Sequence, residues 1–176
     1  MTKVGLISDT HSLISRQFLK FFKDVDVILH AGDIGNKDVL EVLKKTAKVK
    51  AVYGNIDGGE LRNELSENLV FNIEDVKIFM THIGGYPGKY EKKVREMIER
   101  TRPQIFISGH SHILKVIFDK KYDLLHLNPG AAGNFGYHKV ATALKFRIDK
   151  SKIQDMEILE VDRSKLKTVL NSHFIS

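Results

Sequence analysis

The sequence predicts an α/β fold in which two sheets pack face to face behind a βαβαβ opening. Three observations predict it. Strand-length apolar runs alternate with segments of helical period through the first 53 residues, and residues 114 to 159 read as strands with no helix between them. The 176 residues contain no repeat, low-complexity tract or linker, so a single domain over residues 1–176 is expected. A chain of that length can bury roughly 70% of its unfolded surface and needs no covalent staples.

The elements follow in order. "KVGLIS" reads as a strand and "ISRQFLKFFKD" as a helix; "DVILHA" and "KDVLEVLKKTA" repeat the pair, and "KVKAVY" completes three parallel strands with right-handed crossovers. Asn36 stands at the N-cap of the second helix, with Asp38 in its first turn. "GGELRNELSEN" is polar and reads as a loop. "LVFNI" and "VKIFMTH" form a hairpin turning near Glu74 and Asp75. A helix with apolar positions Tyr90, Val94, Met97 and Ile98 ends before Pro103, and the strand "QIFISGH" follows. The strands "LKVIFD", "LLHLNPG", "VATALKFRID" and "KIQDMEILEV" come next, then "RSKLKTVLNSHF" as a short helix.

Composition removes several function classes. Cysteine is absent, which rules out disulfide frameworks, thiolate metal sites and thiol nucleophiles, so any metal must be held by nitrogen and oxygen. The start "MTKVGLISDTH" is too short and polar for a signal peptide or a membrane span, so a cytoplasmic location with no membrane attachment is expected. A net charge of +6 permits attraction to phosphates, but the lysines alternate with Glu, as in "KYEKKVREMIER". This is a solvated mixed-charge surface, and nucleic acid is disfavoured as a partner.

Five apolar runs share one feature: a metal-capable residue at or just past the carboxyl end of the strand. These are Asp9 and His11, then Asp33, Asn55, His82, and finally His110 with His112. In α/β sheets ligands bind outside the carboxyl strand ends, so residues distant in sequence converge there. The one-residue spacing in "DTH" and "HSH" would put both side chains of each pair on one side of an extended chain, within reach of one centre. Taken singly, Asp9 or Asp33 would read as a helix cap and His82 as a half-buried core histidine. Five such coincidences at the same topological position are hard to reconcile with those bland readings. Seven nitrogen or oxygen ligands exceed one tetrahedral zinc and suit two divalent ions sharing a carboxylate. Mixed imidazole and carboxylate ligands argue against Ca²⁺ and suit Mn²⁺, Fe, Zn²⁺, Co²⁺ or Ni²⁺ without ranking them; two divalent ions, Mn²⁺ foremost, are the expectation.

The ordered set "SDTH", "HAGD", "YGNID", "THIGG", "SGHSH" and "LNPGAAG" resembles the calcineurin-like metallophosphoesterases, and within them the small phosphodiesterases of bacteria and archaea. The resemblance implies a four-layer α-β-β-α sandwich of two mixed sheets with a dinuclear metal cleft at its edge. It implies that Asp9, His11 and His112 hold one metal, that Asn55, His82 and His110 hold the second, and that Asp33 bridges. The implied reaction is hydrolysis of a small phosphoester, a diester in preference to a monoester, by a metal-bridging hydroxide and without a covalent intermediate. Asn55 would fill a metal site without adding negative charge that repels phosphate. Asn128 would brace the site and Gly130 would admit close backbone approach, or the pair would form an ordinary Pro-Gly turn. Asp57 would orient His82 or a water, or simply close its turn. His30, His126, His138 and His173 read as structural or surface residues.

Two departures from the family matter. Larger relatives carry a proton-donating histidine where this chain has Ile56, and many small relatives carry a second histidine where it has Gly84. A general acid, typically worth about 10²- to 10⁴-fold, is therefore missing from both places, and good leaving groups are expected. The rival expectation is a metal-binding interaction scaffold like the retromer subunit that resembles this fold, although the complete ligand set favours an enzyme. A nuclease would need a basic track, for which Arg62, Lys89 and Lys92 are candidates. The segments 57–68 and "GGYPGKY" are expected to wall the cleft, and the late strands and last helix offer an edge for homo-oligomer pairing.

Overall fold

The computed structural model describes residues 1–136 and 138–169. Strand β1 (Thr2–Ile7) leads to helix α1 (Arg16–Phe21), β2 (Val27–His30), α2 (Lys37–Lys44), β3 (Lys48–Ala51) and α3 (Gly59–Glu64). Then come β4 (Asn68–Ile73), β5 (Val76–Thr81), the two-residue strands β6 (Gly85–Tyr86) and β7 (Lys89–Tyr90), and α4 (Lys92–Thr101). The chain continues through β8 (Ile105–Ile107), β9 (Leu114–Asp119), β10 (Leu124–Pro129), β11 (Val140–Asp149) and β12 (Lys152–Asp162).

Two five-stranded mixed sheets form, in the orders β12-β11-β1-β2-β3 and β4-β5-β8-β10-β9. The βαβαβ opening makes β1, β2 and β3 parallel, while β11 and β12 add antiparallel. In the second sheet β5, β8 and β10 are parallel, flanked by antiparallel β4 and β9. Alternation along each strand supplies two apolar faces. Val4, Leu6, Leu29, Ile78, Met80, Ile107, Leu127 and Phe146 fill the space between the sheets. The opposite face of the first sheet takes Ile7 and Ile28 to Phe18, Leu40 and Leu43 of α1 and α2, and that of the second takes Phe79 and Phe106 to Val94 and Ile98 of α4. The layers are therefore α-β-β-α.

Local chemistry follows the sequence in several places. The Asn36 side chain caps α2 by accepting from the Asp38 amide, worth roughly 1 kcal/mol. The β4–β5 hairpin turns at 74 and 75, with Glu74 in the left-handed region (φ 51°). Four expectations change. Helix α1 covers only six residues, because Ser15 is extended and bridges Thr168. The polar loop contains α3, which buries Leu61 against the α2 side of the core. "GGYPGKY" folds into the β6–β7 ribbon, which takes Tyr90 out of the expected helix, so α4 begins at Lys92. Among the described residues after Asp162, helical structure is limited to a 3-10 turn at Arg163–Lys165, and Leu166 is extended. There the Arg16 amide donates to the Lys167 carbonyl and the Val169 amide to that of Ile14, so pairing with the start of α1 replaces an internal helical ladder. Residues 170–176, including His173, lie outside the described residues.

Candidate metal centre

The carboxyl ends of β1, β2, β3, β5 and β8 all open on one edge of the sandwich, and the seven residues read from the sequence meet there. The β1–β2 ladder continues beyond the strands: the Asp9 amide donates to the Gly32 carbonyl, His11 to Asp33 and Ser12 to Ile34. Holding that ladder while turning the side chains inward takes unusual backbone. Asp9, His11, Asp33, His110 and His112 all have φ between 47° and 64°, which is uncommon outside glycine. The one-residue spacing thus works through left-handed turns, not through extended chain. It also does not pair the histidines of "HSH". Asp9, His11 and His112 form one group and Asp33, His82 and His110 another, with ligand atoms of each group within 4.8 Å of one another.

Asp33 stands between the two groups. Its Oδ1 is 3.2 Å from His82 Nε2, and its Oδ2 is 3.9 Å from His11 Nε2. Asp9 Oδ1 is 3.1 Å from His112 Nε2, and its Oδ2 accepts from the His110 amide across the gap between the sheets. Asn55 Oδ1 is 3.1 Å from His82 Nε2. Two edge-to-face imidazole pairs, His11 with His112 and His82 with His110, have ring centroids 5.5 and 5.3 Å apart.

The electrostatics favour a cation. Burial disfavours charge on His82, but Asp33, Asp9 and the Ala31 carbonyl outweigh it and hold its pKa above the ordinary histidine value. Burial likewise opposes ionisation of Asp33, yet the His82 hydrogen bond and charge, the Ile56 amide and His11 keep it below the usual carboxylate range. Asp9 Oδ1 and His11 Nε2 are buried and find no hydrogen-bond partner of suitable geometry among the described residues. Buried polar atoms are seldom left in that state, and a divalent ion would satisfy both.

Comparison with known proteins agrees with this geometry. The family model for the calcineurin-like phosphoesterase superfamily domain matches residues 2–151. The chain belongs to this superfamily. A probable metallophosphoesterase of Methanocaldococcus jannaschii is 39% identical over 136 residues, covering 73% of this chain and 67% of the relative. One from Methanothermobacter thermautotrophicus is 33% identical over 133 residues, covering 73% and 76%. Among solved structures, a novel archaeal phosphodiesterase superposes with TM-score 0.69 at 25% identity over 89% of this chain and 99% of that one. Vps29 of Chaetomium thermophilum shares the fold, with TM-score 0.73 at 15% identity over 92% and 97%.

The metallophosphoesterase scaffold is braced from behind. His82 Nδ1 lies 2.7 Å from the Ala31 carbonyl, so with its proton there the ring turns Nε2 to the centre. Asp57 neither orients His82 nor closes only its own turn. Its carboxylate accepts from the amides of Ile34, Gly35 and Gly54, tying the Asp33 loop to the Asn55 loop. Asn128 donates to the Gly109 carbonyl and to Ser111 Oγ and accepts from the Gly130 amide, steadying "GHSH"; Gly130 has φ 74°. Buried His30 links Thr10 Oγ1 to the Gly32 amide, while buried His126 meets Ser108 Oγ. His138 is exposed.

Arg163 and Phe135 were not legible as site residues, and Arg62 takes a part other than a basic track. Arg163 donates to the carbonyls of Ala131, Gly133 and His138 and so holds the loop that carries Phe135, whose ring lies edge-on to His11 at 5.8 Å. Arg62 donates to the carbonyls of Asp57 and Gly54 and lies over the Tyr53 ring at 4.5 Å. It therefore supports the Asn55 loop, and with Glu67, Thr81, His82 and Ile83 it lines a cavity of about 160 Å³ beside it. Lys89 and Lys92 sit on β7 and α4. At position 84 a β-carbon would stand 2.5 Å from the Phe106 ring, so glycine is dictated by packing there.

Proposed function

We propose that this metallophosphoesterase is a dinuclear metal-dependent phosphoester hydrolase that favours diesters over monoesters and acts in the cytoplasm on a small substrate. The observation that carries the reading is Asp33 between two ligand groups, beside two buried atoms, Asp9 Oδ1 and His11 Nε2, that make no hydrogen bond of suitable geometry among the described residues. Asp9, His11 and His112 would hold one ion, Asn55, His82 and His110 the other, and the two oxygens of Asp33 would serve both. When bound, such ions neutralise charge on phosphoryl oxygens and lower the pKa of an attacking water. Mn²⁺ is our first candidate, and a donor set of imidazole, carboxylate and amide without thiolate suits Fe, Zn²⁺, Co²⁺ and Ni²⁺ as well.

The protein's own contribution is placement. Asp57, Asn128 and the Ala31 carbonyl fix the donor atoms before substrate arrives, which is how rigid sites avoid reorganisation cost. No imidazole occupies position 56 or 84, so leaving groups that need no proton are favoured. The likeness to the archaeal phosphodiesterase supports the diester preference. A scaffold role remains the second reading, supported by the likeness in fold to Vps29. Elemental analysis after Mn²⁺ loading, with rates on aryl diesters and monoesters, separates them. Two ions per chain and diester turnover lost in Asp33→Ala support hydrolysis; full metal binding without turnover supports the scaffold.

A further inference from the structure

The centre is ionic but its surroundings are not. Asn55 is followed by Ile56, His82 by Ile83 and His112 by Ile113, and all three isoleucines are exposed, at 48%, 42% and 39%. Phe135, 66% exposed, stands edge-on to His11 at 5.8 Å. A lone exposed isoleucine is ordinary, but here Ile83 lines the cavity beside Asn55 and His82, Ile113 lines one beside His112, and Phe135 meets His11, so exposed apolar side chains stand next to both ligand groups and mark a binding surface.

We propose that this rim recognises an apolar ester group, so that the ligand is a phosphodiester carrying an alkyl or aryl substituent. The phosphate faces the ionic centre and the hydrocarbon lies on Phe135 and the isoleucines. Arg62 is turned to the backbone carbonyls of Asp57 and Gly54 and to the Tyr53 ring, and Glu67 lines the same cavity. The Ile56 amide donates to Asp33 Oδ1 at 3.0 Å, which fixes this residue's backbone beside the centre. The inference rests on the proposed phosphoester site, but its test reads binding as well as turnover.

Methyl-, butyl- and phenylphosphonate are titrated calorimetrically into the Mn²⁺-loaded protein, and methyl and butyl p-nitrophenyl phosphate are assayed in parallel. Butylphosphonate should bind about tenfold more tightly than methylphosphonate, as half-burial of three methylenes implies. Phe135→Ser and Ile113→Ser should bring that ratio towards one, whereas Phe135→Leu, which keeps an apolar side chain, should retain it. Equal wild-type affinity for the three phosphonates overturns the proposal and leaves the rim as a surface for a protein partner. Graded binding without turnover upholds the rim and removes the hydrolase reading. Turnover with flat binding does the reverse.

Discussion

Gly54 lies so close to Asp33 that a β-carbon on it would stand 2.1 Å from the Asp33 Oδ1. The glycine before Asn55 is therefore a space left for the carboxylate between the two ligand groups. Gly32 does the same for His82, whose ring would be 2.7 Å from an added β-carbon.

The same β-carbon would stand 2.3 Å from the Asp33 backbone nitrogen, so Gly54→Ala should shift the Asp33 loop and lower both metal stoichiometry and stability. Elemental analysis of the purified variant, alongside its thermal midpoint, checks this; full metal content would show that the Asp33 carboxylate can move without loss.

Asp57→Asn keeps one acceptor oxygen where the carboxylate meets three amides. Hydrogen bonds to charged groups contribute about 1.5 to 3 kcal/mol each, so a loss on the order of 3 kcal/mol is expected. For a chain of this size that lowers Tm by roughly 6 to 12 °C. Unfolding followed by circular dichroism measures it.

Metal loading should stabilise the fold. At a free ion concentration of one hundred times Kd the gain is about 2.7 kcal/mol, since only the native state assembles the ligands. Chelation should reverse it, and Asp33→Ala should show neither effect in the same melting experiment.

Two histidines outside the ligand set make stability acid-sensitive. Burial, opposed by nearby Asp57 and Asp9, holds His30 at about 4, and burial with the charge of Lys115 holds His126 at about 4. Both lie below the unfolded value near 6.5, so the unfolded chain takes up more protons between these limits. Their stabilising contribution is intact above about pH 6.5 and is lost as pH falls towards 4, at up to about 1.4 kcal/mol per pH unit for each ring. Urea midpoints across this range should fall, and less steeply in His126→Gln.

Ile56→His places an imidazole where the larger relatives keep one, at an exposed position that should accept it with little cost in stability. Hydrolysis of diesters with poor, alkyl leaving groups should rise relative to aryl ones, by up to about 10²-fold. The ratio of the two rates reports it. Gly84→His should fail instead, because its side chain must displace Phe106.

Strand and helix periodicity, the alternation of elements and the repeated appearance of Asp, Asn or His after apolar runs were all legible from residue types alone. They are local properties, set by which side chains suit a pleat or a helical face. Helix α3 was hidden because Leu61 is the one buried residue in a polar segment, and its burial is decided by a core built elsewhere. The described part of the last segment follows α1 for a similar reason: the Lys167 amide bonds Gln17, 150 positions away, and the Val169 amide bonds the Ile14 carbonyl, in place of a helical ladder.

The sequence by itself determined the two-sheet α/β architecture and which seven residues stand at the strand ends. Residue spacing did not decide how they divide; the family resemblance implied the grouping, and the tertiary structure supplies its physical reason. His110 and His112 separate into different groups because left-handed backbone rotates each side chain independently, and spacing carries no record of φ. Only the tertiary structure decided that Asp57 ties two loops together, that Phe135 stands over His11, and that three isoleucines stand beside the ligand groups. Each of these depends on chains brought together from distant positions, where packing of the two sheets sets the distances.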